Sequence, residues 1–318
     1  MNNERNHYRC CAIVLNESLG QHVQGDMIRI YRPAVDPRVA STFGVSKNGQ
    51  PLSYNRAPAA DLSGWIGRLS VSKLTLHPGQ TLSCGLFADT AGVRIQLVGV
   101  FDVETAAGIQ HHELGGLFYG PQSRLMPVHV GSGFISIGVS FRPSACAALM
   151  ESSLPALVDQ VISVRPWMPA DLLQRFDPDA EPESWLRIVE DLVRQHIVQL
   201  DGVQPDPVSA RFEEIAFLDP CMSIAQAARE IDIDRRRLER VVVRDFGMSP
   251  KQVLKRARAL DMASYLRGVA DNDEGEALAL RYYDESHLTV YLRLLDADEG
   301  GADWREAATA ILGVDPAA

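Results

Sequence analysis

Apolar and polar positions alternate in three stretches of the first half of the chain. Leu69, Val71 and Lys73 interleave with Ser70, Ser72 and Leu74; Val93, Ile95 and Leu97 with Arg94 and Gln96; Ile135, Ile137, Val139 and Phe141 with Ser136, Gly138 and Ser140. A period of two is that of a strand with one face buried. His77 to Gln80, with Pro78 and Gly79, punctuates the first stretch as a turn. Gly131-Ser132-Gly133, between Val128-His129-Val130 and the last strand, reads as a hairpin turn, and Gly115 to Gly120 reads as another turn. Short strands separated by Gly and Pro, without an intervening helical pattern, predict a β-sandwich or cupin-like barrel over residues 61–145. Residues 1–60 carry only short apolar stretches and read as an extension or a few edge strands.

After Pro143 the period changes to about 3.6 residues. Ser144 to Met150 is a short helix candidate, and Trp185, Ile188, Val189, Leu192, His196, Ile197 and Leu200 mark one stripe of a longer helix. Breakers flank it: Asp177 to Pro182 before, Asp201-Gly202, Pro205 and Pro207 after. This helical connector, 146–205, either packs on the β-domain or forms a dimer seam. Residues 206–318 then make up an all-α C-terminal region, so the whole is of the α+β class.

Two short helices follow around a tight turn. In the first, capped by Ser223, Ile224, Ala227, Ala228 and Ile231 share a face, and the small alanines admit a close helix crossing. In the second, capped by Asp234 and running through Phe246, the face for burial is Leu238, Val241, Val242 and Phe246. A helix-turn-helix whose second helix opens with arginines has what groove reading requires. Arg235, Arg236, Arg237 and Arg240 are placed to reach phosphates or guanine edges, because a guanidinium fork pairs with O6 and N7 of guanine. Gly247-Met248-Ser249-Pro250 ends that helix and starts another, in which Lys251, Lys255, Arg256 and Arg258 continue the basic run.

Charge sharpens this reading. The 318-residue chain has a formal net charge of −10, which argues against bulk electrostatic coating of nucleic acid. From Ser223 to Arg258, however, ten Lys and Arg face five Asp and Glu, a local net of +5 that leaves −15 elsewhere. With 46% hydrophobic and 23% charged residues the composition is globular, and the length suits two domains and a connector. No apolar run approaches the roughly 18 residues of a membrane span, and Met1 to Arg9 lack a signal-peptide layout, so a cytoplasmic protein without membrane contact is expected. Cys10, Cys11, Cys84, Cys146 and Cys221 lack metal-ligand spacing and read as free thiols.

The stretches Ile224 to Arg240, Asp245 to Lys251 and Tyr282 to Leu288 resemble the two signature regions of the AraC/XylS family of transcription regulators. The resemblance spans about 208–300. Tyr119 to Val128 and Gly138 to Pro143 are similar to an N-terminal domain found in part of that family. The resemblance implies a seven-helix module with two helix-turn-helix units joined by a long helix. It implies that Arg236, Glu239 and Arg240 face bases and that Arg235 and Lys251 touch the DNA backbone, with Glu285, Ser286 and Arg293 as the candidates of the second unit. Two departures stand out. Asp232 replaces the usual turn glycine of the first unit, at little cost because Asp tolerates a left-handed backbone. In the second unit Arg281 takes that glycine's place, Val290 stands where the family has Arg, and Gly268 to Gly300 carry nine acids against two arginines. That charge opposes a phosphate backbone, so the first unit is expected to be the main reader. Tyr282, Tyr283, His287 and Leu288 also suit a core, and Trp304 to Leu312 suggest a terminal helix.

The expected function is therefore a sequence-specific regulator, an activator by resemblance, with promoter DNA, a small-molecule effector, RNA polymerase and a second copy of itself as partners. Phe101, Phe118, Tyr119 and Phe134 are candidates either for an effector cavity or for core packing. The rivals are a regulator that acts through protein contacts and a cupin-type metalloenzyme. For the latter, His77, His111, His112, Glu113 and His129 are the available ligands; His111 and Glu113 would share a strand face from which His112 points away, and the cupin spacing is missing. No cofactor, metal or catalytic residue is expected.

Overall fold

The computed structural model describes residues 54–74, 81–86, 88, 90–105, 108–131, 133–163, 169 and 171–266, with 82–85 and 259–266 as backbone only. The chain divides into two compact units, 1–269 and 270–318, and every described residue belongs to the first. Cys10, Cys11, His77, Arg281 to Leu288, Val290, Arg293 and Trp304 to Leu312 lie outside the described residues, and with them the second helix-turn-helix.

The β-region consists of two antiparallel sheets. One has six strands in the order β1 (Tyr54–Arg56), β2 (Ile66–Leu74), β9 (Phe134–Phe141), β4 (Gly92–Val98), β7 (Gly115–Tyr119) and β10 (Val161–Ser163). The other has four, in the order β3 (Leu82–Leu86), β8 (Met126–Val130), β5 (Phe101–Thr105) and β6 (Gly108–His112). No described strand is hydrogen-bonded into both sheets, so the expected barrel is not closed.

The three alternating stretches are β2, β4 and β9, and they lie side by side at the centre of the larger sheet. Their apolar positions, such as Leu69, Ile95 and Ile137, form one face, which packs on α1 (Pro143–Met150) and α2 (Pro182–Gln199). Trp185, Val189, Leu192 and His196 of α2 are buried there, and Ile188, Ile197 and Leu200 pack against the same core. The α2 stripe is thus used within the β-domain. Arg56 fastens edge strand β1 to this helix, reaching Glu183 at 2.9 Å and Glu190 at 2.8 Å.

Two expectations fail. Gly131 to Gly133 is not a hairpin turn, because β8 pairs with β3 and β5 while β9 belongs to the other sheet. The segment carries the chain between sheets. Gly115 to Tyr119 is a strand rather than a turn, hydrogen-bonded to β4 on one side and β10 on the other. Its glycines hid a short run, Leu117 to Tyr119, that is buried in full.

Candidate nucleic-acid interface

Helix α3 (Pro207–Leu218) opens the helical part. Its start uses Asp206, whose side chain accepts from the amides of Val208 and Ser209, with Pro207 in the first turn, where a missing N–H costs nothing. Pro207, which reads as a breaker, opens a helix instead. Next comes α4 (Ile224–Glu230), closed at its N-terminus by a reciprocal box between Ser223 and Gln226. Asp232 then takes φ 58°, so the turn is left-handed there, as expected. Asp234 accepts from the amide of Arg237 and starts α5 (Arg235–Phe246), which ends at Gly247 with φ 72°. Ser249 and Gln252 form a similar pair at the start of α6 (Pro250–Leu266).

The hydrophobic cluster of this region unites Ala227 and Ala228 of α4 with Leu238, Val242 and Phe246 of α5 and Phe212 of α3. Val241 is half-buried. Burial of one side of α5 fixes what the other side presents. Arg235, Arg236, Arg237 and Arg240 are exposed, and so are Lys251 and Lys255 at the start of α6. Arg235 reaches Glu239 at 2.8 Å, one helical turn on, so Glu239 serves as that guanidinium's partner within the helix.

Three of the ten basic residues counted here are committed to protein. Arg244 lies 2.6 Å from both Asp206 and Asp245, and these contacts, the hydrogen bond it donates to Asp245 foremost, raise its pKa further. Burial works against the Asp206 carboxylate, yet the bonds from Arg244 and the helix amides hold its pKa below the ordinary value. Arg256 is buried and donates to the main-chain carbonyl of Gln122, and Arg258 donates to that of Pro220 at 2.6 Å. Spacing alone could not separate these from the exposed set, because the acceptors lie far off in sequence.

The basic helix is held against the β-domain by its opposite side. Asp206 donates its amide to the Ser144 carbonyl of α1 at 2.9 Å, Arg142 pairs with the buried Glu213 of α3 at 3.0 Å, and Val158 joins the helical cluster. Gly247 sits close to Pro121, Leu154 and Val158. The docking surface and the arginine surface of α5 are therefore different faces, and the first does not cover the second.

Of the other candidates, Phe101, Tyr119 and Phe134 pack together between the sheets, whereas Phe118 points into the helix-covered core. His111 meets Asp102 at 2.6 Å on the exposed side of β6, His112 turns inward against Phe101, and Glu113 lies beyond the end of that strand. Among the described residues no three His, Cys, Asp or Glu side chains gather as metal ligands would. No described helix is long and apolar enough to cross a membrane.

No family model and no curated protein matches this chain. Among solved structures it is similar to ToxT from Vibrio cholerae, at TM-score 0.37 and 8% identity over 66% of this chain and 92% of that one. Wild-type ToxT bound to an unsaturated fatty acid gives 0.34 and 10%, over 77% and 96%. The AraC-like transcriptional activator CuxR gives 0.23 and 14%, over 68% and 91%. The overlap is loose.

Proposed function

We propose that the protein is a sequence-specific DNA-binding transcription regulator whose first helix-turn-helix is the main reader. One observation carries this: a capped helix, entered through a left-handed turn at Asp232, buries Leu238, Val242 and Phe246 and leaves Arg235, Arg236, Arg237 and Arg240 exposed. In a major groove, Arg236 and Arg240 read base edges while Arg235 and Lys251 engage phosphates. Glu239, paired with Arg235, orients that side chain as well as facing the groove. Glu285, Ser286 and Arg293 make the second unit's weaker contacts. The division of labour is an extension at 1–60 whose end supplies β1, a β-rich effector or dimerisation domain at 61–145, a connector at 146–205 that adds β10 and packs α2 on that domain, and the DNA-binding region at 206–318. The regulator works in the cytoplasm as a homodimer, answers a small effector, and acts on promoters with RNA polymerase.

Selection of bound sequences from a random double-stranded pool tests this. The expected result is an enriched site whose sequence is lost with Arg236→Glu, two half-sites reporting a dimer. Recovery of an unenriched pool by the wild-type protein refutes sequence-specific reading.

A further inference from the structure

The exposed side of α5 changes chemistry along its length. Its first half presents Arg235, Arg236, Arg237 and Arg240 to solvent, with Glu239 half-buried beside them. Less than one turn beyond Arg240 the same side is apolar, because Val243 stands there 38% exposed. Val243 follows Arg236 by seven positions, Glu239 by four and Arg240 by three, so at 3.6 residues per turn the four share one stripe. Leu238, Val242 and Asp245, all buried, lie on the other side of the helix. Arg244, the next cation along, does not extend the charge of that stripe, since Asp206 and Asp245 hold its guanidinium at 2.6 Å. The reading stripe therefore ends on an aliphatic group.

Packing within the chain does not account for this valine. Among the described residues it takes no part in the hydrophobic cluster that unites α3, α4 and α5. Its position is nonetheless fixed. The Gly247 amide donates to the Val243 carbonyl at 3.1 Å, and Gly247 itself is packed against Pro121, Leu154 and Val158. A valine in a helix keeps one strongly preferred χ1 rotamer, so its methyl groups are in place before any contact forms and lose little freedom in forming one.

The chemistry of the major groove narrows what such a group can read. Guanidinium groups answer O6 and N7 of guanine, a carboxylate answers the cytosine amino group, and an aliphatic side chain answers the 5-methyl group of thymine. We infer that Val243 is a specificity-determining residue, one that selects a thymine through its 5-methyl group. This rests on the DNA-reading function proposed above and adds an apolar contact to the polar ones named there. A helix rises about 1.5 Å per residue, which puts Val243 about 4.5 Å along α5 from Arg240 and about 10.5 Å from Arg236. With base pairs about 3.4 Å apart, the thymine lies about one base pair from the base that Arg240 reads and about three from that of Arg236.

Deoxyuridine, which is thymidine without the methyl group, tests the inference. In the site enriched from a random pool by the full chain, each thymine is replaced in turn and the affinity is measured by fluorescence anisotropy. For the wild type, one replacement costs about three- to fivefold, the worth of one buried methyl group, at a position near the base that Arg240 reads. Val243→Ala loses about as much on the thymine site and is indifferent to deoxyuridine at that position. Alanine is a better helix former than valine, so the variant keeps the wild-type melting temperature and its affinity for random DNA at low salt. An enriched site without a methyl-sensitive thymine, or a sensitivity that survives in Val243→Ala, removes the valine contact and leaves the regulator standing. A pool that the wild type does not enrich removes both readings.

Discussion

Arg256 of α6 donates from Nη1 to the main-chain carbonyl of Gln122 at 3.3 Å, joining the helix that follows α5 to the connection between β7 and β8. Gln122 is fully buried, accepts from the Ala88 amide at 2.5 Å, and places its own amide against the Met126 sulfur, a member of the intersheet core. Arg256→Met is expected to remove about 1.5–3 kcal/mol, the range for a bond to a charged group. Urea denaturation checks it, and a loss near zero would show that the contact does not matter.

Gly247 closes α5 under two constraints. Its φ is 72°, and a Cβ there would meet the Pro121 ring at 2.9 Å and the Leu154 carbonyl at 3.0 Å. The left-handed backbone alone costs an alanine about 1 kcal/mol, and contact with main chain adds to that. Gly247→Ala should destabilise the folded chain by about 2 kcal/mol, and a melting temperature equal to wild type would contradict the packing described.

Asp232 presents the opposite case. It holds φ 58° with a side chain where glycine carries no penalty, and it is exposed. Asp232→Gly is expected to stabilise by up to about 1 kcal/mol without changing DNA affinity. A destabilised variant would mean that the carboxylate contributes more than the turn costs.

His112 supplies a pH dependence. Burial first and neighbouring His111 second hold its pKa below the ordinary 6.5, against a smaller opposing effect of Asp102. A base with a depressed folded pKa binds fewer protons folded than unfolded, so stability is full above the unfolded value and declines as pH falls below it. The melting temperature of the wild type should drop as pH is lowered from 6.5 toward about 5, and less so in His112→Gln. Parallel curves for the two proteins would assign the decline to other groups.

The elements readable in the sequence were those where one local rule acts alone. Strict alternation in β2, β4 and β9, the apolar stripe of α2, and the capped pair α4 and α5 all follow from neighbours within a turn or two. What escaped depends on partners far away. The residues Leu117 to Tyr119 become a central strand only because β4 and β10 flank them. Phe118 and Tyr119 look alike in sequence, yet strand geometry sends them to opposite cores. Likewise Arg256 and Arg240 differ only in what lies opposite: a carbonyl of the β-domain for one, solvent for the other. The exposed arginines of α5 were legible because the buried face of an amphipathic helix names its complement.

The two helix-turn-helix units should contribute unequally to DNA binding. Arg236→Glu or Arg240→Glu is expected to abolish operator binding, while Arg293→Ala weakens it slightly. Equal losses in a mobility-shift series would refute the asymmetry.

The salt dependence of DNA affinity tests the central claim most directly. If Arg235 and Lys251 engage phosphates, log K falls linearly with log salt concentration, by about 0.9 per phosphate neutralised, and Lys251→Ala lowers that slope by about 1. An affinity indifferent to salt, or a slope unchanged by Lys251→Ala and by Arg235→Ala, would show that this helix face is not where DNA is held.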